Sequence, residues 1–176
     1  KFAWVSFPEP HSPYQVPEPY FSMFDTSEIP ERACGPEALK EKGFPWDWQH
    51  QISNFRVPGC VDDWRRYRAN YLGMIRLIDD QVKRLLAGLE EMGEMHNTHL
   101  IFVSDHADFA GDFGLPRKGI AVPEVLTRVP LIWNGPGIES SNAGEEPFVS
   151  LVDIYPTICE LLGEEIPFGV QGRSLL

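Results

Sequence analysis

The chain has 176 residues, 43% of them hydrophobic and 12% aromatic, enough for one compact core but short for two. Twenty-six acidic against fifteen basic side chains leave a net charge of −11. That balance excludes a nucleic-acid surface built on clustered Lys and Arg, though not a local cationic pocket for a small anion, and no apolar run reaches the ~18 residues of a membrane span.

The chain begins at Lys1 inside a strand-like run, Phe2-Ala3-Trp4-Val5-Ser6-Phe7, so we expect a fragment whose natural N-terminus lies upstream. The stretch from Pro8 to Phe21 is too rich in Pro for helix or sheet and reads as an irregular, ordered loop. Asp25 to Gly59 resists assignment and reads as a loop-rich insertion, with a short helix near Pro36 to Lys42 and a Trp46-Asp47-Trp48 cluster. From Asp62 the period turns helical. Trp64, Tyr67, Tyr71, Ile75, Ile78, Val82, Leu85, Leu89 and Met92 form one stripe, with Asp62 or Asp63 as N-cap and Gly93 as stop. Thr98 to Ser104 follows as a buried strand, Val129 to Trp133 as another, and a last helix spans Asp153 to Leu162 before Gly163. The expected architecture is one α/β domain over residues 1–176, with helices on a mainly parallel sheet in three layers.

The informative stretch is Thr98 to Lys118, where Leu100-Ile101-Phe102-Val103 stops at Ser104-Asp105-His106. A strand ending in a carboxylate and an imidazole delivers ligands to the sheet edge where α/β folds place their sites. By donor softness the pair suits zinc or manganese better than calcium. The plainer alternative is that Asp105 only forms a turn. Lys118, after Arg117, is a candidate anion-binding group. His11, between Pro10 and Pro13, is a candidate proton donor on a rigid loop. Asp108 and Asp112 are possible further ligands, Asp80 reads as solvated and Asp79 as an edge contact. Cys34 and Cys60 could pair, whereas Cys159 sits on an apolar helix face and reads as a small core residue.

Taken in order, Phe7-Pro8-Glu9-Pro10-His11-Ser12-Pro13-Tyr14, Tyr71 to Leu86, Ser104-Asp105-His106, Gly111-Asp112-Phe113-Gly114-Leu115, Arg117-Lys118-Gly119, Thr127-Arg128-Val129-Pro130-Leu131, Asp153-Ile154-Tyr155-Pro156-Thr157 and Val170-Gln171-Gly172-Arg173-Ser174-Leu175 resemble the sulfatase family of the alkaline-phosphatase-like superfamily. The resemblance covers nearly the whole chain and is weakest between Asp25 and Gly59. It implies an alkaline-phosphatase-like sandwich of which this chain is the C-terminal portion. It implies that Asp105 and His106 bind a divalent cation, usually calcium in sulfatases, with manganese or zinc open because His106 stands where many members have Asn. Lys118 matches the lysine that contacts the sulfate oxygens. His11 matches the histidine that contacts the ester and assists the leaving group.

Three departures stand out. Phe113 replaces a frequent His, Ala107 replaces a frequent Gly, and the Cys-x-Pro-x-Arg or Ser-x-Pro-x-Arg source of the formylglycine nucleophile follows none of Cys34, Cys60, Cys159 or any Ser. The paired aspartates expected after the first family strand are absent too. The resemblance therefore implies a sulfatase whose nucleophile and remaining ligands lie in a missing N-terminal half, acting on a sulfated small molecule or carbohydrate. The fragment alone is expected to be inactive, and an exported, periplasmic or lysosomal location is implied. Two alternatives remain: a phosphonate or phosphate monoester hydrolase of the same superfamily, and a non-catalytic binding module.

Overall fold

The computed structural model describes residues 1–56, 59, 62–138 and 148–176. They gather into two compact units, Lys1–Pro136 and Gly137–Leu176.

In the first unit the unassigned insertion proves to hold a 3-10 turn, Pro36–Glu41, and a helix, α1, Phe44–Arg56. Gly43 at φ 81° sets the entry, Pro45 and Asp47 occupy the first turn and Arg56 the last, a favourable order for a helix and its dipole. Sequence reading missed α1 because its outward face is apolar: Phe44, Trp48 and Phe55 are exposed while Gln49 is buried. Its Trp46 packs edge-on against Phe109 and tilted against Phe113 at 5.8 and 5.1 Å. These rings join Leu39, Leu115 and Leu126 in one core cluster.

The long helix α2 runs Trp64–Glu91, and Gly93 ends it as expected. At φ 69° Gly93 donates to the Glu90 carbonyl, and the Glu94 N–H reaches back to Leu89, so two terminal carbonyls are satisfied. Neither Asp62 nor Asp63 contributes a described side-chain cap; Asp63 takes the N-cap position by its backbone alone. Gly73 is needed here, because a Cβ would stand 2.5 Å from the Tyr20 carbonyl, and its absence lets the Pro-rich loop lie on the helix. Only the first half of the expected stripe is well covered. Trp64, Ala69 and Ile29 share a second core cluster with Tyr67 and Leu72, whereas Ile75, Leu85 and Met92 remain exposed. The expected roles of Asp79 and Asp80 are reversed: Asp80 accepts from the Tyr20 hydroxyl at 2.9 Å and from Arg76, while Asp79 is exposed.

Strands β1, Leu100–Val103, and β2, Leu131–Asn134, pair with Ile101 opposite Trp133 and Phe102 opposite Ile132. They run antiparallel, which corrects the expectation that they run parallel. A parallel return needs a helix that packs back across the sheet. The connection here is a loop carrying only a 3-10 turn, Asp112–Gly114, and a one-turn helix, α3, Glu124–Thr127. The strand-like run Phe2 to Phe7 forms no ladder with any described residue. The outward pair Phe102 and Ile132 leaves an apolar sheet face open.

In the second unit, a 3-10 turn, Leu151–Asp153, leads into helix α4, Ile154–Leu162, which Gly163 closes at φ 69°. Cys159 is buried and free, as its helix position suggested. The chain terminus is pinned to the start of α4. Asp153 accepts the Ser150 and Arg173 amides at 2.8 and 2.9 Å, and the Thr157 hydroxyl accepts the Leu175 amide at 3.0 Å. Gly172 lies so near the Val152 carbonyl that no larger residue fits without a shift. Cys34 is a free thiol, and its suggested partner Cys60 lies outside the described residues. No described helix is long and apolar enough to cross a membrane.

Candidate active site

The loop that leaves β1 does two things at once, at positions three residues apart. Asp105 projects into solvent with its side chain 86% exposed, whereas Asp108 is largely buried. Asp108 accepts the Tyr14 hydroxyl at 2.9 and 3.0 Å, the Ala110 amide at 2.8 Å and the Arg117 amide at 3.0 Å. The Tyr14 oxygen itself accepts the Arg117 N–H at 2.8 Å, closing a three-membered network. Burial raises the Asp108 carboxyl above its ordinary value, although the donors and the nearby His11 charge pull the other way. The same burial, with the Asp108 charge, drives the Tyr14 phenol far up and pushes Tyr71 up to about 12. Tyr14 stacks on Tyr67 at 5.4 Å and meets Tyr71 edge-on at 6.3 Å.

This network makes a tight loop possible. Ala110, Gly111, Phe113, Gly114 and Arg117 all have positive φ, a left-handed conformation that costs non-glycine residues on the order of 1–3 kcal/mol each. The buried anchors that hold them are Phe109 and Leu115, together with backbone bonds from Phe109 to Arg117 and from Phe113 to Cys34. Asp112 is bound to Arg68 at 3.1 Å and accepts the Ala33 amide at 3.0 Å. Asp108 and Asp112, named as possible further ligands, are here occupied in holding the loop. Tyr14 belongs to the quoted Pro-rich motif, yet its role needed a partner 94 residues away to become visible.

On the rim above, Lys118 is brought to His106, its Nζ 2.7 Å from Nε2. An ammonium only donates, so Nε2 must carry the lone pair and Nδ1 the proton. Nδ1 then donates to the Ala107 carbonyl at 2.9 Å. Asp105 Oδ2 lies 3.6 Å from the same Nε2, and Asp105 Oδ1 accepts the His106 amide at 2.9 Å. The His106 Nε2 lone pair thus faces the Lys118 ammonium, while the Asp105 side chain stands largely in solvent beside it. Among the described residues no three His, Cys, Asp or Glu side chains converge enough to hold a metal ion. His11 is exposed, with Nδ1 bonded to the neighbouring Ser12 carbonyl at 2.7 Å. It acts on Asp108 through its charge, and Tyr14, three residues on, ties its loop to the loop after β1. Sequence reading missed a cleft of about 250 Å³ that Lys118 lines together with α1.

The fold that carries this rim is alkaline-phosphatase-like. A phosphonate monoester hydrolase from Silicibacter pomeroyi superposes with a TM-score of 0.83 at 30% identity, covering 94% of this chain and 34% of that one. A protein solved in complex with its substrate D-glucosamine-2-N,6-O-disulfate superposes at 0.59, with 29% identity over 74% of this chain and 28% of its own. An arylsulfatase from Clostridium perfringens is 36% identical over 180 residues, 99% of this chain and 36% of that protein. The sulfatase family profile matches residues 1–164, and the chain belongs to the sulfatase family. It spans about a third of the length of these relatives.

Proposed function

We propose that this chain supplies the cation-binding and anion-contacting part of a sulfate-ester hydrolase. The observation that carries the reading is the convergence of Asp105, His106 and Lys118, with Lys118 Nζ 2.7 Å from His106 Nε2. Two ligands about 2.1 Å from one ion can stand up to about 4 Å apart, so the 3.6 Å between Asp105 Oδ2 and His106 Nε2 suits a shared divalent cation. The Ala107 carbonyl accepts the Nδ1 proton and so fixes the tautomer whose Nε2 lone pair can ligate. Asp105 and His106 would hold calcium, with manganese or zinc as the softer choices. Once bound, such an ion would polarise the ester oxygens.

Asp105 and His106 would hold the cation, and Lys118 would turn its ammonium to the non-bridging oxygens of the ester and stabilise charge developing there. His11 hands a proton to the departing alcohol oxygen. In this reading the nucleophile is a formylglycine outside this chain, and the remaining metal ligands come from the same intact domain. That domain would be a mainly parallel three-layer sandwich, with β1 and β2 as its antiparallel part. The open apolar faces at Phe102 and Ile132, and at Ile75 and Leu85, support further chain packing on them. The substrate class we favour is a sulfated carbohydrate, supported by the disulfated sugar substrate of one structural neighbour.

A second reading is favoured by the phosphonate monoester hydrolase likeness: the same rim serving a phosphonate ester. The deciding experiment is turnover of aryl sulfate and aryl phosphonate by the intact protein, with peptide mass spectrometry of the nucleophile. Faster sulfate cleavage with a formylglycine residue is the expected outcome. Faster phosphonate cleavage would transfer the assignment to the second reading. Cleavage of neither, with metal still bound, would leave a binding module.

A further inference from the structure

Resting on the sulfate-ester reading of His11 and Lys118, we infer that Tyr14 is a positioning residue whose hydroxyl sets where His11 stands relative to Lys118. The two groups must reach different oxygens of one ester, the leaving oxygen and the non-bridging ones. Their separation therefore matters to within about 1 Å. They come from loops remote in sequence, and Tyr14 and Arg117 themselves lie 103 residues apart. Among the described residues, every hydrogen bond between the stretch 8–21 and the loop 105–118 runs through the Tyr14 hydroxyl. It lies 2.9 and 3.0 Å from the two Asp108 carboxylate oxygens, to which it donates, and accepts the Arg117 N–H at 2.8 Å. Tyr14 follows His11 by three residues, and Arg117 immediately precedes Lys118.

Both ends of this link are stiff. The Tyr14 ring stacks on Tyr67 and meets Tyr71 edge-on, and Asn70 Nδ2 donates to the Tyr14 carbonyl at 3.0 Å, so α2 fixes both side chain and backbone. Between Tyr14 and His11 the chain is short and restricted by Pro13, and the His11 N–H bonds to the Pro8 carbonyl at 3.1 Å. Little slack separates the hydroxyl from the imidazole. On the other side Arg117 is held at φ 64°, a left-handed conformation that a non-glycine residue keeps only when its surroundings impose it. Its amide is shared between Tyr14 and Asp108. Stacking would be served as well by phenylalanine, whereas a hydroxyl taken out of water is unfavourable unless it is bonded. Here it is used as donor and acceptor at the point where the two loops meet. The link is also asymmetric. Without the hydroxyl, Arg117 keeps its bond to Asp108 at 3.0 Å and Lys118 its bond to His106 at 2.7 Å, so Lys118 keeps its place. The displacement falls on His11.

The test measures kcat of the full-length protein on aryl sulfates of graded leaving-group acidity, from para-nitrophenyl to phenyl sulfate. An acidic phenol departs unaided, whereas a weakly acidic one needs the proton. Tyr14→Phe should lower kcat about twofold for para-nitrophenyl sulfate and about twentyfold for phenyl sulfate, part of the roughly 10²–10⁴-fold that a positioned acid contributes. His11→Ala should show the same trend more strongly, and in its background Tyr14→Phe should no longer alter the trend. Lys118→Ala should lower all members alike, because non-bridging charge develops whatever the leaving group. A smaller folded fraction also scales every substrate equally, so a trend with leaving group separates positioning from lost stability. An equal loss across the series, or a trend that persists undiminished in the His11→Ala background, overturns the inference. If aryl sulfates are not cleaved while the matching aryl phosphonates are, the sulfatase reading has failed instead, and the phosphonate series decides Tyr14 by the same criteria. If neither is cleaved, amide hydrogen exchange decides it. Tyr14→Phe should then speed exchange at His11 and Gln15 about tenfold with β1 unchanged, and unaltered exchange at both overturns the inference.

Discussion

Asp105 and Asp108 stand three residues apart on one loop and are opposites in every physical respect. The first is exposed, accepts only the His106 amide among the described residues, and lies 3.6 Å from the His106 ring nitrogen. The second is buried, bound by a hydroxyl and two amides, and faces no described cation directly. The difference separates an exposed rim from a frame that positions the rim. Lys118 joins them, because its neighbour Arg117 gives its amide to Asp108 and to Tyr14.

The comparison predicts opposite phenotypes, and the largest effect belongs to the rim. In the intact enzyme Lys118→Ala and Asp105→Ala should each lower kcat by about 10²–10³-fold, the usual result of removing a group that stabilises transition-state charge. Both should leave the unfolding free energy within about 0.5 kcal/mol of wild type, as surface changes do. Asp105→Ala should also lower the bound metal measured by elemental analysis. An activity loss accompanied by a large drop in Tm would dissolve the distinction between rim and frame.

On the frame, Asp108→Ala leaves the Tyr14 hydroxyl and the Ala110 amide without their acceptor, while the Arg117 amide keeps Tyr14, and should cost about 2–4 kcal/mol in denaturant unfolding. Asp108→Asn keeps one acceptor oxygen and should cost less. Next in size, Tyr14→Phe removes the hydroxyl that donates to Asp108 and accepts from Arg117, for about 1–2 kcal/mol. Activity should fall with both frame variants in proportion to how far Lys118 loses its place.

The smallest effect is in pH dependence, and its sign separates two buried carboxylates. Asp108 has a raised folded-state value, so its folded form holds a proton more tightly than the unfolded chain. Its contribution is therefore most favourable below the ordinary carboxylate value near 4 and declines as pH rises from there toward the raised value. Asp153 is lowered by the Arg173 and Ser150 amides, so its contribution is present above about 4 and is lost as pH falls toward the lowered value. Unfolding measured across pH for Asp108→Asn and Asp153→Asn should each remove the corresponding limb. Identical slopes in the two variants would contradict these assignments.

Local signals were legible where one element sufficed to specify them. Gly93 and Gly163 end their helices because each supplies a left-handed residue at the position where two carbonyls need donors. The apolar runs of β1 and β2 were readable from periodicity, and Asp105, His106 and Lys118 from their order along one segment. Helix α1 was obscured because its exposed face is the apolar one, so hydrophobicity pointed away from the fold. The strand direction was also hidden, because an apolar run has the same composition whichever way its partner runs.

What the sequence by itself determined is the inventory of chemistry: family motifs, helix stops, and a carboxylate and imidazole at the end of a strand. Tertiary structure alone decided which aspartate was free to act. Asp105, Asp108 and Asp112 are chemically the same residue, and only partners that are remote in the chain distinguish them. Tyr14 lies 94 residues from Asp108, and Arg68 lies 44 residues from Asp112. Burial and hydrogen bonding are properties of the folded neighbourhood, so the division into an exposed aspartate and two bound ones arises only when those distant segments meet.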